Sequence, residues 1–243
     1  MDMSWVMVSL LTLLLFYPTS ILLGYVMSPT SMIPTDGIGR SLGTVKVCPS
    51  AELYEDTKAA VDEWNTAIAF SATRFMWLEL LGLRLEVADA GCDAYIVLGK
   101  PYETPIGEGR HVSDERILGM TSPDKEGDRT VFNVIVSDLL PQERRRPVIR
   151  HELSHVLGLG DSVTFNAPFK PASHTSALGK VTSHDVYALY AKYVKGADDA
   201  LVSVPPYIPY MTADMPLPDI ASTAVSALAA FIIDWKLRGR KNK

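Results

Sequence analysis

The chain has 243 residues and a formal net charge of −5, with 47 % hydrophobic and 21 % charged residues. That composition excludes a disordered or collagen-like chain, and the acidic balance argues against a nucleic-acid partner, which usually meets a basic face. Two cysteines are too few for a disulfide scaffold or a four-cysteine zinc site.

Residues 5–27 (WVMVSLLTLLLFYPTSILLGYVM) carry no charged side chain. A bilayer-spanning helix needs about 20 mostly apolar residues, and a kink at Pro18 is tolerated there. A signal peptide wants a basic n-region and a small-x-small cleavage site; Met1-Asp2-Met3-Ser4 is not basic and no A-x-A follows. Residues 1–28 are therefore expected to form an uncleaved transmembrane anchor, with the lipid bilayer as a partner. Residues 29–40 are rich in Pro, Gly, Ser and Thr and read as a linker.

Residues 41–195 read as one domain. Residues 44–47 suit a short strand. Leu53, Thr57, Ala60, Val61, Trp64 and Ile68 recur at helical spacing, which predicts an amphipathic helix over 51–70 with Ser50 as its N-cap. Residues 83–87 alternate apolar and polar, whereas 94–98 are continuously apolar, as in a buried strand. Strands at 117–121 and 131–136 flank Ser122-Pro123-Asp124 and Glu126-Gly127-Asp128, whose turn chemistry predicts a hairpin. This order defines an α+β class, a mixed α/β layer with the sheet made first and a helix packed on it.

Residues 196–218 contain Pro205, Pro206, Pro209, Pro216 and Pro218 and read as a second linker. Residues 219–243 combine an uncharged run at 220–233 with the basic tail Lys236, Arg238, Arg240, Lys241 and Lys243. That run is short for a span; it is either a second membrane segment, with the tail on the cytoplasmic side, or a membrane-surface or core-docked helix.

The chemistry lies at VIRHELSHVLGLGD, residues 148–161. Pro147 suits a first helical turn. His151 and His155 are four apart, so on a helix they share one face and can reach one metal. Glu152 adjoins the first of them and can serve the metal's open position. Ile149, Leu153, Val156 and Leu157 form the opposite, apolar side. A catalytic zinc needs a third protein ligand and one open position. Gly158 can end the helix in the left-handed conformation and let the chain bring Asp161 to the same ion. No Glu follows Glu152, so a downstream glutamate cannot be the third ligand. Asp185 and His174 are the substitutes for Asp161.

The complete pattern H-E-x-x-H-x-x-G-x-x-D resembles that of the metzincin metallopeptidases. Residues 41–193 resemble the matrixin-type catalytic domain, through Asp62-Glu63-Trp64-Asn65 on the long helix, Asp93-Ala94-Tyr95-Ile96-Val97 and the motif helix. Most relatives carry a third His; Asp161 is similar to the snapalysin-like group. The resemblance implies a mostly parallel twisted sheet with a long backing helix and an active-site helix. It also implies one catalytic Zn2+, endopeptidase activity and a polypeptide substrate lying along the edge strand near 117–121. It further implies a methionine turn after the third ligand. Alignment on Val181-Thr182-Ser183-His184-Asp185 puts that turn at Asn166-Ala167-Pro168-Phe169, which has no Met; the other candidate is Met211.

Other residues have plainer readings. His111 is a solvated loop histidine or a ligand of a second, structural zinc. Asp124, Glu126 and Asp128 form a solvated turn or a structural Ca2+ site, although their spacing is not that of a calcium loop. Arg144-Arg145-Arg146 read as a solvated turn before the helix. Cys48 and Cys92 are either a disulfide or two buried thiols.

The expected function is a membrane-anchored, zinc-dependent metalloendopeptidase. His151, His155 and Asp161 hold the metal and Glu152 is the general base. The catalytic domain is expected outside the cytoplasm, on a chain with one membrane pass or two. The alternative is an inactive, membrane-tethered, zinc-containing binding domain.

Overall fold

The computed structural model describes residues 30–36, 42–101, 118–127, 129–161, 163–166, 170–173, 180–205, 208 and 212–213. All of them belong to the unit Ser28–Ala213. Residues 1–28, read as a membrane anchor, and residues 219–243, read as a second membrane segment or a membrane-surface or core-docked helix, lie outside them. Among the described residues no helix is long and apolar enough to cross a membrane.

Five strands make the main sheet: β2 (Thr44–Pro49), β3 (Arg84–Val87), β4 (Ala94–Gly99), β5 (Gly119–Glu126) and β6 (Arg129–Ser137). Their order is β3-β2-β4-β6-β5. The β2–β3, β2–β4 and β4–β6 pairs are parallel, and β5 runs antiparallel to β6 at one edge. The protein is thus mixed α/β with a mostly parallel sheet. Cys48 at the end of β2 is joined to Cys92, just before β4, by a disulfide.

The hairpin differs from expectation. Ser122-Pro123-Asp124, read as a turn, is strand, and the β5–β6 ladder runs from Gly119↔Val136 to Glu126↔Arg129. The reversal falls at Gly127, whose φ of +63° favours glycine. Pro123 is accommodated because an edge strand has one side with no ladder to donate to. Asp124 and Glu126 are therefore strand residues; Asp128 lies outside the described residues.

Helix α1 (Tyr54–Arg74) follows a 3₁₀ turn at Ala51–Leu53. Ser50 precedes that turn without capping it through its side chain. The six residues expected on the apolar face, from Leu53 to Ile68, are all buried. Trp64 donates its indole N–H to the Arg150 carbonyl at 2.9 Å. Asn65 exchanges two 2.9 Å bonds with the Leu85 backbone, tying α1 to β3.

Helix α2 (Gln142–Val156) carries the motif and packs on α1, β5 and β6. It begins a turn earlier than expected, with Pro141 as N-cap, so Pro147 is an interior proline and not a first-turn one. The cost is one missing helical N–H. Arg144-Arg145-Arg146 are helical, not a turn, and Arg146 reaches Glu63 of α1 at 3.5 Å. Arg150, almost fully buried, also pairs with Glu63.

Both segments read as linkers contain strands. β1 (Thr30–Pro34) and β9 (Leu201–Ser203) join β7 (Val163–Asn166) and β8 (Lys170–Ser173) in an antiparallel sheet of order β8-β7-β1-β9. Ile33, Val202, Val204 and Ile208 belong to the same core as α1 and α2. Asn166, expected in the methionine turn, pairs with Lys170 across the β7–β8 hairpin; residues 167–169 and Met211 lie outside the described residues. Helix α3 (Ser183–Tyr193) packs on α1 and β1.

Candidate metal centre

The last turn of α2 and the chain after it build the site. Gly158 N–H donates to the His155 carbonyl and Leu159 N–H to the Ser154 carbonyl, both at 2.9 Å. This pair is a Schellman ending, which needs a left-handed residue, and Gly158 has φ +84°. A Cβ there would lie 2.5 Å from Lys192 Cε. The reversal is then fastened to β1. Gly160 N–H donates to the Pro34 carbonyl (2.8 Å), Asp36 N–H to the Gly158 carbonyl (3.0 Å), and Thr35 bridges Leu159.

That return brings the three expected ligands together. His151 Nε2 lies 3.2 Å from His155 Nε2, and Asp161 Oδ1 lies 3.5 Å and 3.7 Å from the two. Zinc bonds of about 2.0–2.1 Å give a tetrahedron with edges of about 3.3–3.4 Å. The three donor atoms therefore fit three corners of one tetrahedral ion, with the fourth corner not filled by them. His155 Nδ1 lies 2.8 Å from the Leu159 carbonyl. A proton on Nδ1 satisfies that oxygen and leaves the Nε2 lone pair facing the cluster. His151 Nδ1 is buried with no hydrogen-bond partner among the described residues. Burial, with the nearby His155 charge, lowers the His151 pKa to about 4 against the opposing effect of Asp161. His151 is thus neutral near pH 7, the form that ligates metals.

Glu152 is 3 % exposed, and burial raises its pKa despite the charge of His155 and a hydrogen bond from Thr121. Its Oε1 lies 4.0 Å from His151 Nε2, and its Oε2 accepts from Thr121 Oγ1 at 2.7 Å. The cleft in front has a volume of about 530 Å³. It is lined by the motif residues, by Gly119, Met120 and Thr121 of β5, and by Pro34, Thr35 and Asp36.

Of the substitute ligands, Asp185 is buried at the start of α3. Its Oδ2 accepts 2.8 Å bonds from Thr182 N–H and Oγ1, which completes a capping box. It is the N3 partner of the Thr182 cap and not a member of the cluster. His174 and His111 lie outside the described residues. Sequence reasoning missed Thr121, Gly119 and the β1 contacts. The only available signal was that positions 119 and 121 share a face of one predicted strand.

A scan against protein-family models finds none that matches the chain, and no curated protein matches it either.

Proposed function

We propose that the protein is a membrane-anchored, zinc-dependent metalloendopeptidase with a metzincin-like catalytic domain. The observation that carries this reading is the convergence of His151, His155 and Asp161 beside the buried Glu152 in one open cleft. Among the described residues three ligands converge; three suit a catalytic ion better than a structural one, which normally takes four from the protein.

In this reading His151 and His155 hold zinc through Nε2 and Asp161 through its carboxylate. Zinc, when bound, supplies a Lewis acid that polarises a carbonyl and acidifies a water. Glu152 takes a proton from the water that attacks the scissile carbonyl carbon. As the C–N bond breaks, Glu152 returns that proton to the leaving amine nitrogen. Burial supports the second half of this cycle, since a carboxyl with a raised pKa holds a proton long enough to deliver it. The substrate is an extended polypeptide bordering β5.

The uncharged run at 5–27 supports the anchor, and the Cys48–Cys92 disulfide supports a domain facing an oxidising, extracytoplasmic space. The test is a zinc titration by chelator competition, with cleavage of casein followed in parallel. The wild-type chain is expected to bind one zinc, and His151→Ala, His155→Ala and Asp161→Ala to bind it far more weakly. Cleavage that persists after zinc is stripped would refute the reading.

A further inference from the structure

We propose that Thr121, on the edge strand β5, is the positioning residue that fixes the Glu152 carboxylate and leaves Oε1 as its proton-transferring oxygen. This inference rests on the peptidase reading of Glu152. Thr121 Oγ1 donates to Glu152 Oε2 at 2.7 Å and lies 3.3 Å from the Glu152 carbonyl. A hydroxyl has one proton to give, and the shorter approach assigns it to the carboxylate. Oε2 is thereby occupied. Oε1 faces the donor cluster, 4.0 Å from His151 Nε2.

Gly119 completes the cradle. It lies two residues before Thr121 and so on the same face of the strand. A Cβ at Gly119 would lie 2.6 Å from Glu152 Oε1 and 2.6 Å from Val148 Cγ1. One strand face thus supplies a hydroxyl for one oxygen and empty volume for the other. A glutamate side chain is rotamer-rich, and a buried carboxylate needs a donor. The two positions together confine it to one placement beside the donor cluster. The same strand borders the cleft through Met120 and Pro123, so the group that holds the base and the edge proposed to receive the substrate belong to one strand.

The test uses the full chain in detergent, loaded with zinc, with fluorescein-labelled casein as substrate. Thr121→Val keeps the shape and removes the hydroxyl; Thr121→Ser keeps the hydroxyl. Thr121→Val is expected to lower kcat about tenfold or more with KM and zinc content unchanged, as befits a hydrogen bond to a charged group. Thr121→Ser is expected to restore most of the rate. In metal-free protein, Thr121→Val is expected to lower Tm by about 2–4 °C when Glu152 is present and not in a Glu152→Ala background. A wild-type rate in Thr121→Val, equal losses in the Val and Ser variants, or the same Tm loss in both backgrounds would overturn the inference while loss of cleavage in Glu152→Ala leaves the peptidase reading standing. Full cleavage by Glu152→Ala would overturn that reading, and this inference with it.

Discussion

Lys192 Nζ lies 2.8 Å from Asp36 Oδ1, across a sequence separation of 156 residues. The Lys192 side chain is 2 % exposed, and its ammonium also reaches Asp198 at 2.9 Å. Burial alone would depress this ammonium, but the hydrogen bonds and charges of Asp36 and Asp198 outweigh it and hold the pKa above its ordinary value. The pair's contribution is therefore fully present at neutral pH and is lost only as strongly alkaline pH passes the raised value. Through Asp36 N–H and the Gly158 carbonyl, this ion pair holds the reversal that presents Asp161.

Lys192→Met is therefore expected to act on both stability and metal binding. Lys192 is buried but Asp36 and Asp198 are 31 % and 52 % exposed, so the carboxylates left behind stay hydrated and the loss is expected at about 1–2 kcal/mol, which urea denaturation of metal-free protein would read. Zinc affinity is expected to fall by about tenfold, the scale of an outer-shell loss. A stability loss with unchanged zinc affinity would show that the clamp does not position Asp161.

Gly158 and Gly196 separate crowding from conformation. Both have positive φ, +84° and +70°, so alanine at either bears the left-handed penalty of about 1–2 kcal/mol. Among the described residues a Cβ at Gly196 meets nothing within 4 Å, whereas one at Gly158 meets Lys192 Cε at 2.5 Å and Asp36 Oδ1 at 2.7 Å. Thermal unfolding should show Gly158→Ala to be the more damaging, and only that variant should weaken zinc binding.

Asp161 and Asp185 should respond oppositely. The Asp161 side chain is 73 % exposed, so Asp161→Ala is expected to leave metal-free stability within about 0.5 kcal/mol of wild type while zinc affinity falls more than about a hundredfold. Asp185→Ala removes the N3 half of the Thr182 capping box and leaves the buried Thr182 N–H without that acceptor, which should cost about 1–2 kcal/mol with zinc stoichiometry intact. Equilibrium dialysis beside urea denaturation reads both.

His184 gives the fold an acid-sensitive component. Burial lowers its pKa below the ordinary 6.5, against a hydrogen bond to the Ile208 carbonyl at 3.0 Å. A depressed histidine pKa means that the unfolded chain binds the proton first. Its stabilising share is present above about pH 6.5 and shrinks as pH falls toward the lowered value, by at most about 1.4 kcal/mol per pH unit. The stability difference between wild type and His184→Gln should be flat above pH 7 and should shift against wild type below pH 6.5. A difference that stays flat down to pH 5 would contradict this.

The sequence made the long-period features plain. The α1 face was legible because six residues repeat with the helical period, and the motif because His151 and His155 fall one turn apart. The edge strand was cut short because Pro123 and Asp124 carry turn chemistry, which an edge position overrides. β1 and β9 were hidden. They are five and three residues long, lie in Pro-rich stretches, and owe their existence to partners far along the chain, as in Met32↔Val163 and Met32↔Ser203. The donors around the site were hidden for the same reason: no local pattern announces that Thr121 meets Glu152 or that Asp36 meets Lys192.

In the proposed cleavage Glu152 transfers the proton and zinc is required. The most direct measurement compares hydrolysis of unfolded casein by zinc-loaded wild-type chain and by Glu152→Ala carrying the same zinc content. Cleavage is expected from wild type, with a loss of at least about a hundredfold in the variant, the lower range for a general base. Equal cleavage by the two, or none by a wild-type chain that binds zinc one-to-one, would contradict it.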